Sequence, residues 1–175
     1  MKSCLIIASP RSGSSNLMRS IAKANNLLKC FEPFGDVIEQ QLKINNYCTK
    51  VIGRRKPVEF WVELSSKFDK VVLQSRRNSL QAAESFTKLY TSKTRNPDMK
   101  WTSLTEEERL KLPIAIDIIN ISEKVIEDLS LKLNIDIDYY EDIFTNYHLN
   151  DTSIKLDLSF LNKSRKCKIE KFNAI

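Results

Sequence analysis

Cys4-Leu5-Ile6-Ile7-Ala8-Ser9-Pro10-Arg11-Ser12-Gly13-Ser14-Ser15-Asn16-Leu17 is the stretch on which the fold turns. Its first part is apolar without alternation, the pattern of a short strand buried on both faces, as in a parallel sheet. Pro10 and the small residues to Ser15 then form a tight loop. Leu17, Ile21, Ala24 and Leu28 follow, spaced to share one face of an amphipathic helix, with Ser14 or Ser15 expected as its cap. A strand that turns at once into a helix presents unpaired N–H groups and a positive dipole end at the turn, a seat for an anion. Small residues let the anion approach the backbone, and Arg11 adds a cationic fork suited to phosphate or sulfate oxygens.

The loop is not a Walker A motif. That motif ends in Gly-Lys-Ser/Thr, with the Lys on the terminal phosphates and a hydroxyl on magnesium. Here one Gly stands alone with no Lys after it. A cysteine-phosphatase loop is excluded as well, since no Cys stands five or six residues before Arg11.

Working outward, Lys70-Val71-Val72-Leu73-Gln74 is a second buried strand. It leads through Arg76-Arg77-Asn78-Ser79 into a helix to about Tyr90. Between these two strands, residues 29–34 read as a short connection and Asp36 to Ile44 as a helix. Cys48 to Ile52 reads as a strand, and Pro57 to Ser66 as a helix with Pro in its first turn. Beyond Tyr90, residues 92–104 read as a loop. A long helix from Thr105 or Pro113 to Lys132 has the expected inner stripe Ile118, Ile121, Val125, Leu129 and Leu133. Ile135 to Tyr139 is the last expected strand. Strands alternating with helices predict one α/β domain over residues 1–175, a parallel sheet with helices on both faces. Right-handed crossovers bring the carboxyl ends of the strands to one edge, where open α/β sheets bind ligands. The loop at Ser9–Ser15 and the segment Gln74–Ser79 therefore share that edge.

Of the 175 residues, 42% are hydrophobic and 29% charged, enough for one soluble core. No apolar run is long enough to cross a bilayer, and the N-terminus lacks the longer apolar region of a signal peptide. A cytoplasmic protein is expected. The four cysteines show no metal-ligand spacing and read as core thiols. The net charge of +6 favours an anionic partner. It is compatible with nucleic acid, although no nucleic-acid module or interleaved aromatics accompany it.

Pro10-Arg11-Ser12-Gly13-Ser14-Ser15, taken with Val71-Val72-Leu73-Gln74-Ser75-Arg76-Arg77-Asn78 and with Ser85 eight residues after Arg77, resembles the sulfotransferases that use 3′-phosphoadenosine 5′-phosphosulfate. The likeness covers residues 3–90, and Tyr139-Tyr140-Glu141-Asp142 is similar to a Tyr-Glu-Asp segment of that family. The resemblance implies a P-loop-NTPase-like three-layer sandwich. It also implies transfer of a sulfuryl group to an acceptor hydroxyl, on a carbohydrate or another small polar molecule, with adenosine 3′,5′-bisphosphate as product and no metal. Arg11, Ser12, Gly13, Ser14 and Ser15 would hold the 5′-phosphosulfate, with Arg11 stabilising charge on the transferring group. Arg77 and Ser85 would hold the 3′-phosphate, Arg76 pointing elsewhere. Glu32, in Phe31-Glu32-Pro33-Phe34, matches the Glu base of the glycan and tyrosine branches. Lys50 is a further candidate near the sulfuryl group, and the basic run Lys163–Lys171 one for closing over the 3′-phosphate.

Plainer readings stand beside these. The loop alone suits any strand-to-helix turn, and Arg77 suits a surface pair with Glu84. Glu32 suits a solvated carboxylate, His148 a surface residue, and Trp61 and Trp101 packing. Two rival functions follow: a non-catalytic nucleotide- or nucleic-acid-binding protein, or a P-loop-like nucleotide kinase.

Overall fold

The computed structural model describes residues 1–31, 46–91 and 103–144. The expected helix at 36–44, Glu32, Trp101, His148, Cys167 and the basic run at 163–171 lie outside them.

Five parallel strands form one sheet: β1 (Ser3–Ala8), β2 (Leu28–Phe31), β3 (Tyr47–Ile52), β4 (Lys70–Ser75) and β5 (Ile137–Tyr139). Their order across the sheet is β2-β3-β1-β4-β5. The most apolar strand is central: Cys4 to Ala8 have no exposed surface, since neighbours cover both faces. Helix α1 (Ser14–Ala24) and the short α5 (Tyr140–Ile143) cover one face. There Cys4, Ile6, Ala8, Cys48 and Val72 meet Leu17, Met18, Ile21 and Phe144. The alternate residues Leu5, Ile7, Val51, Val71 and Leu73 point the other way. They meet Trp61 and Leu64 of α2 (Val58–Ser65) and Ile126, Leu129 and Leu133 of α4 (Glu106–Leu133). These are the three layers expected. Trp61 is a packing residue, 2% exposed, its indole N–H donating to the Gly53 carbonyl at 2.6 Å.

Helix α3 (Ser79–Thr91) packs on the first half of α4, through Ala82, Ala83 and Phe86 against Ala115 and Ile119. The start of α4 is fixed by a reciprocal capping box. The Thr105 hydroxyl accepts from Glu108 N–H, and the Glu108 carboxylate accepts from Thr105 N–H, a pairing worth about 1 kcal/mol. Pro113 therefore lies inside the helix, on its exposed side.

Three sequence expectations need correction. The chain at 28–31 is a strand at the sheet edge, not a connection. Helix α1 ends at Ala24, turned by Asn26 at φ 52°, so Leu27 is the buried residue and Leu28 is 63% exposed. In α4 the inner stripe is Ala115, Ile119, Ser122, Ile126, Leu129 and Leu133; Ile121 faces out, 56% exposed. The helix carries apolar residues on several faces; the one that turns inward meets α3 through Ala115 and Ile119 and the sheet through Ile126, Leu129 and Leu133.

Candidate functional site

The loop leaving β1 lies beside the end of β4, tied there by Ser9 N–H donating to the Gln74 carbonyl at 2.9 Å. The Ser12 hydroxyl donates to Ser9 O at 2.8 Å and closes the turn. Two residues have left-handed backbone, Arg11 at φ 61° and Gly13 at φ 78°. For Gly13 the freedom is required twice. Its φ disfavours a side chain, and a Cβ there would stand 2.8 Å from the Tyr140 ring. For Arg11 the same region is unusual, and such strain concentrates at ligand-binding turns. Gly13 takes the cap position of α1, and no side chain caps it. Ser14 and Ser15 are therefore the first helical residues, not the cap expected of them.

The two separated motifs meet here. Arg11 Nε donates to Ser85 Oγ at 2.7 Å across 74 positions, and Ser85 is 7% exposed. The second guanidinium at this place belongs to Arg76, which sequence reasoning sent elsewhere. Arg76 is 6% exposed. Its guanidinium lies 4.5 Å from the centre of the Tyr140 ring, a cation–π contact, and donates to Gln81 Oε1. Its Nε, fully enclosed, has no hydrogen-bond partner among the described residues. The nearest carboxylate oxygen, Glu141 Oε1, is 3.6 Å away, within reach as an ion pair but too far for a hydrogen bond. Burial holds both guanidinium pKa values below their ordinary range. The charge of Arg76 depresses Arg11 further; Tyr140 opposes the effect on each, and Glu141 opposes it on Arg76.

Arg77 turns the other way. Both arms of its guanidinium sit on the Asp142 carboxylate, its plane 4.3 Å from the centre of the Tyr139 ring. The side chains of this pair are 52% and 58% exposed, and the hydrogen bond raises the Arg77 pKa while lowering that of Asp142. Arg77 thus pairs with Asp142, not Glu84, and its guanidinium and Ser85 belong to different clusters. Arg77 instead borders a cleft of about 340 Å³ with Ser79, Glu123 and Tyr139. The Ser79 hydroxyl is shared between both oxygens of Glu123, whose pKa is raised chiefly by burial.

Glu141 ties the two sides together. Its carboxylate accepts from Arg77 N–H at 2.9 Å and Asn78 N–H at 3.2 Å, fixing the chain where the two arginines diverge. Under the loop, Gln74 is wholly buried and neither of its amide atoms has a hydrogen-bond partner. Its partner in register on β5 is Asp138, whose pKa is pushed up to about 6, first by burial and then, against the pull of Lys70, by Asp136 and Asp142. Lys50, on β3 beside Ile6, is 7% exposed.

Sequence reasoning missed Arg76, Gln81, Tyr140 and Glu141 as parts of the site. The signal for Arg76 was present: side chains alternate along an extended segment, so one of two adjacent arginines must face the loop.

Fold and site together describe a parallel α/β protein in which the loop after β1 and the segment after β4 meet at the carboxyl edge of the sheet. Comparison with protein-family models, with curated proteins and with solved structures found no match for the chain.

Proposed function

We propose that the chain is a sulfotransferase, moving a sulfuryl group from 3′-phosphoadenosine 5′-phosphosulfate to the hydroxyl of a small polar or carbohydrate acceptor. The observation that carries this reading is the Arg11–Ser85 hydrogen bond. The two motifs on which the family resemblance rests, each weak alone, touch at this bond.

The residues suit the donor's anionic groups. Gly13 brings the backbone of the loop against the Tyr140 ring, Arg76 keeps an enclosed donor unpaired among the described residues, and exposed Arg11 extends from the loop to Ser85. The donor supplies the sulfuryl group and a good leaving phosphate. Ser12 to Ser15 and Arg11 would hold the phosphosulfate, Arg11 offsetting negative charge as it grows on the oxygens in flight. Ser85 and a neighbouring arginine would anchor the second phosphate. Glu32, matched to the family's base by sequence alone, would accept the proton of the attacking hydroxyl.

Thermal unfolding with and without adenosine 3′,5′-bisphosphate tests the reading. A ligand that binds only the folded chain, at a hundred times its Kd, stabilises by about 2.7 kcal/mol, so the midpoint should rise by several degrees with the bisphosphate and not with ATP. No rise with the bisphosphate refutes the reading, and a rise with ATP alone favours the kinase. Labelled sulfate transfer over glycans, phenols and lipids then identifies the acceptor. Glu32→Ala should abolish transfer while sparing the thermal shift; unchanged transfer would place the base elsewhere.

A further inference from the structure

Three arginines at the carboxyl edge are engaged: Arg11 with Ser85, Arg76 with Gln81, Tyr140 and Glu141, and Arg77 with Asp142 and Tyr139. Arg54 is not. It is half-buried, in the single 3-10 turn Gly53–Arg55 that follows β3. Its Nε is enclosed without a hydrogen-bond partner, and no carboxylate pairs with it, among the described residues. An enclosed donor left without a partner costs about 1–3 kcal/mol, and such a group calls for an explanation.

The turn adjoins the loop after β1. Ile52 lies opposite Ala8 on parallel strands, so Gly53 and Ser9 leave the sheet side by side, about 4.8 Å apart. The turn is seated firmly there. Trp61 Nε1 donates to the Gly53 carbonyl at 2.6 Å, and a Cβ at Gly53 would stand 3.3 Å from Val125 and 3.4 Å from Ile7. Residues 9–13 and 53–57 together hold Arg11, Arg54, Arg55 and Lys56 and no acid. Arg55 and Lys56 are exposed, the Lys56 ammonium 5.3 Å from the centre of the Phe60 ring. The next acid, Glu59, bonds Lys132 at 2.7 Å. Beyond β4, by contrast, Glu141 and Asp142 answer the two arginines. One half of the edge is neutralised and the other is cationic. A run of one sign along a ligand-binding edge draws ligands of the other sign, and a guanidinium matches the paired oxygens of a carboxylate or sulfate.

We propose that Arg54 and Lys56 form a subsite for an anionic group of the acceptor, so that the acceptor is a carbohydrate bearing a carboxylate or sulfate besides the hydroxyl to be modified. With the strand order β3-β1-β4, this subsite lies across the first loop from the Arg76–Arg77 segment. The proposal deepens the sulfotransferase reading and rests on it for the reaction; the anion subsite rests on Arg54 and the charge of its turn.

Calorimetry on the full chain tests it. The probes are a galacturonic acid trisaccharide, a sulfated galactose trisaccharide, the neutral galactose trisaccharide and adenosine 3′,5′-bisphosphate. Arg54→Gln should weaken the anionic sugars about 10-fold or more, the worth of a hydrogen bond to a charged group. Lys56→Ala should weaken them about 2- to 5-fold, the worth of an exposed charge. Neither should change the bisphosphate. Lys111→Ala, an exposed cation on α4, should change nothing. Four results overturn the proposal and leave the sulfotransferase reading standing if the bisphosphate binds: unchanged affinity for the anionic sugars in Arg54→Gln, an equal loss in Lys111→Ala, a neutral sugar bound as tightly as the charged ones, or an equal loss of the bisphosphate in Arg54→Gln, which would put Arg54 in the donor site. Arg54-dependent binding of the anionic sugars with no binding of the bisphosphate supports the subsite and removes the sulfotransferase. Binding of no probe overturns both. Arg54→Gln should keep the wild-type urea midpoint, since its Nε has no bond to lose; a lower midpoint with unchanged affinity would make Arg54 a packing residue. If Arg54→Gln does not fold, Arg54→Lys, which keeps the charge and loses the fork, is read by the same criteria.

Discussion

Set side by side, the α1 side and the α4 side of the sheet edge use the same segment, Ser75 to Asn78, to opposite ends. On the α1 side a buried arginine stands on a ring, with its one carboxylate partner among the described residues 3.6 Å away and its Nε enclosed. On the α4 side an exposed arginine is fully matched by Asp142. The difference teaches that charge alone does not mark a site. A matched ion pair in water is nearly neutral in energy, whereas an unmatched buried cation is maintained only where folding elsewhere compensates. Alternation of side chains sends the two arginines apart, and the packing on each side decides what each can do.

The sharpest way to break the α1 side is at Gly13. Gly13→Ala puts a Cβ on a left-handed residue and against the Tyr140 ring at 2.8 Å. The ring must move away from Arg76. A loss of about 2–3 kcal/mol is expected, read as a lower urea midpoint at unchanged slope; a midpoint within error of wild type would mean that the ring yields freely.

Next comes Glu141, the one residue that serves both sides. Glu141→Ala removes the acceptor of two backbone N–H groups and the ion-pair partner of Arg76. A loss of about 1–2 kcal/mol is expected, again by urea denaturation, together with altered near-ultraviolet dichroism as Tyr139 and Tyr140 lose their arginines. Unaltered dichroism would show that the arginines hold their places unaided.

Asp138 gives a smaller effect with a definite sign. Its carboxyl holds its proton up to about pH 6 in the folded chain, against an ordinary aspartate value of 3.8. Between those values the folded state binds more protons than the unfolded. The stability it contributes is fully present below pH 3.8 and is lost as pH rises through 6. Asp138→Asn should therefore stabilise at pH 7, by about 1 kcal/mol after solvent screening, and the gain should vanish near pH 4. A gain of equal size at both pH values would rule out titration as its source.

The smallest effect is expected on the α4 side. Asp142→Asn weakens an exposed pair and should leave the midpoint unmoved within error in ordinary buffer. A clear drop would mean that the matched pair is structural and would erase the contrast between the two sides.

Much of this was legible in the residues. β1, β3 and β4 declared themselves because central parallel strands are apolar on both faces. The sharing of an edge by the loop and the Arg76–Arg77 segment followed from topology alone. β2 did not declare itself: Leu28-Lys29-Cys30-Phe31 is short and polar at one position, and it is a strand because Leu28 to Phe31 pair with Tyr47 to Lys50. The stripe of α4 was ambiguous because Ile114, Ile116, Ile118, Ile119 and Ile121 offer more than one apolar face. Within the site, the spacing of Arg77 and Ser85 drew attention to the right segment. Alternation required the two arginines to diverge, but which of them is buried depends on Tyr140 and Glu141, more than 60 positions away, and no local pattern carries that.

The Glu141 clamp also sets an order of events during synthesis. Both arginine-bearing motifs leave the ribosome before residue 90, but the ring and carboxylate that separate Arg76 from Arg77 arrive only with residues 140 and 141. Until then Arg11, Arg76 and Arg77 stand without the ring and the carboxylate that separate them. This corner of the sheet edge is thus among the last features of the described fold to become defined, though its first residue is among the earliest to be made.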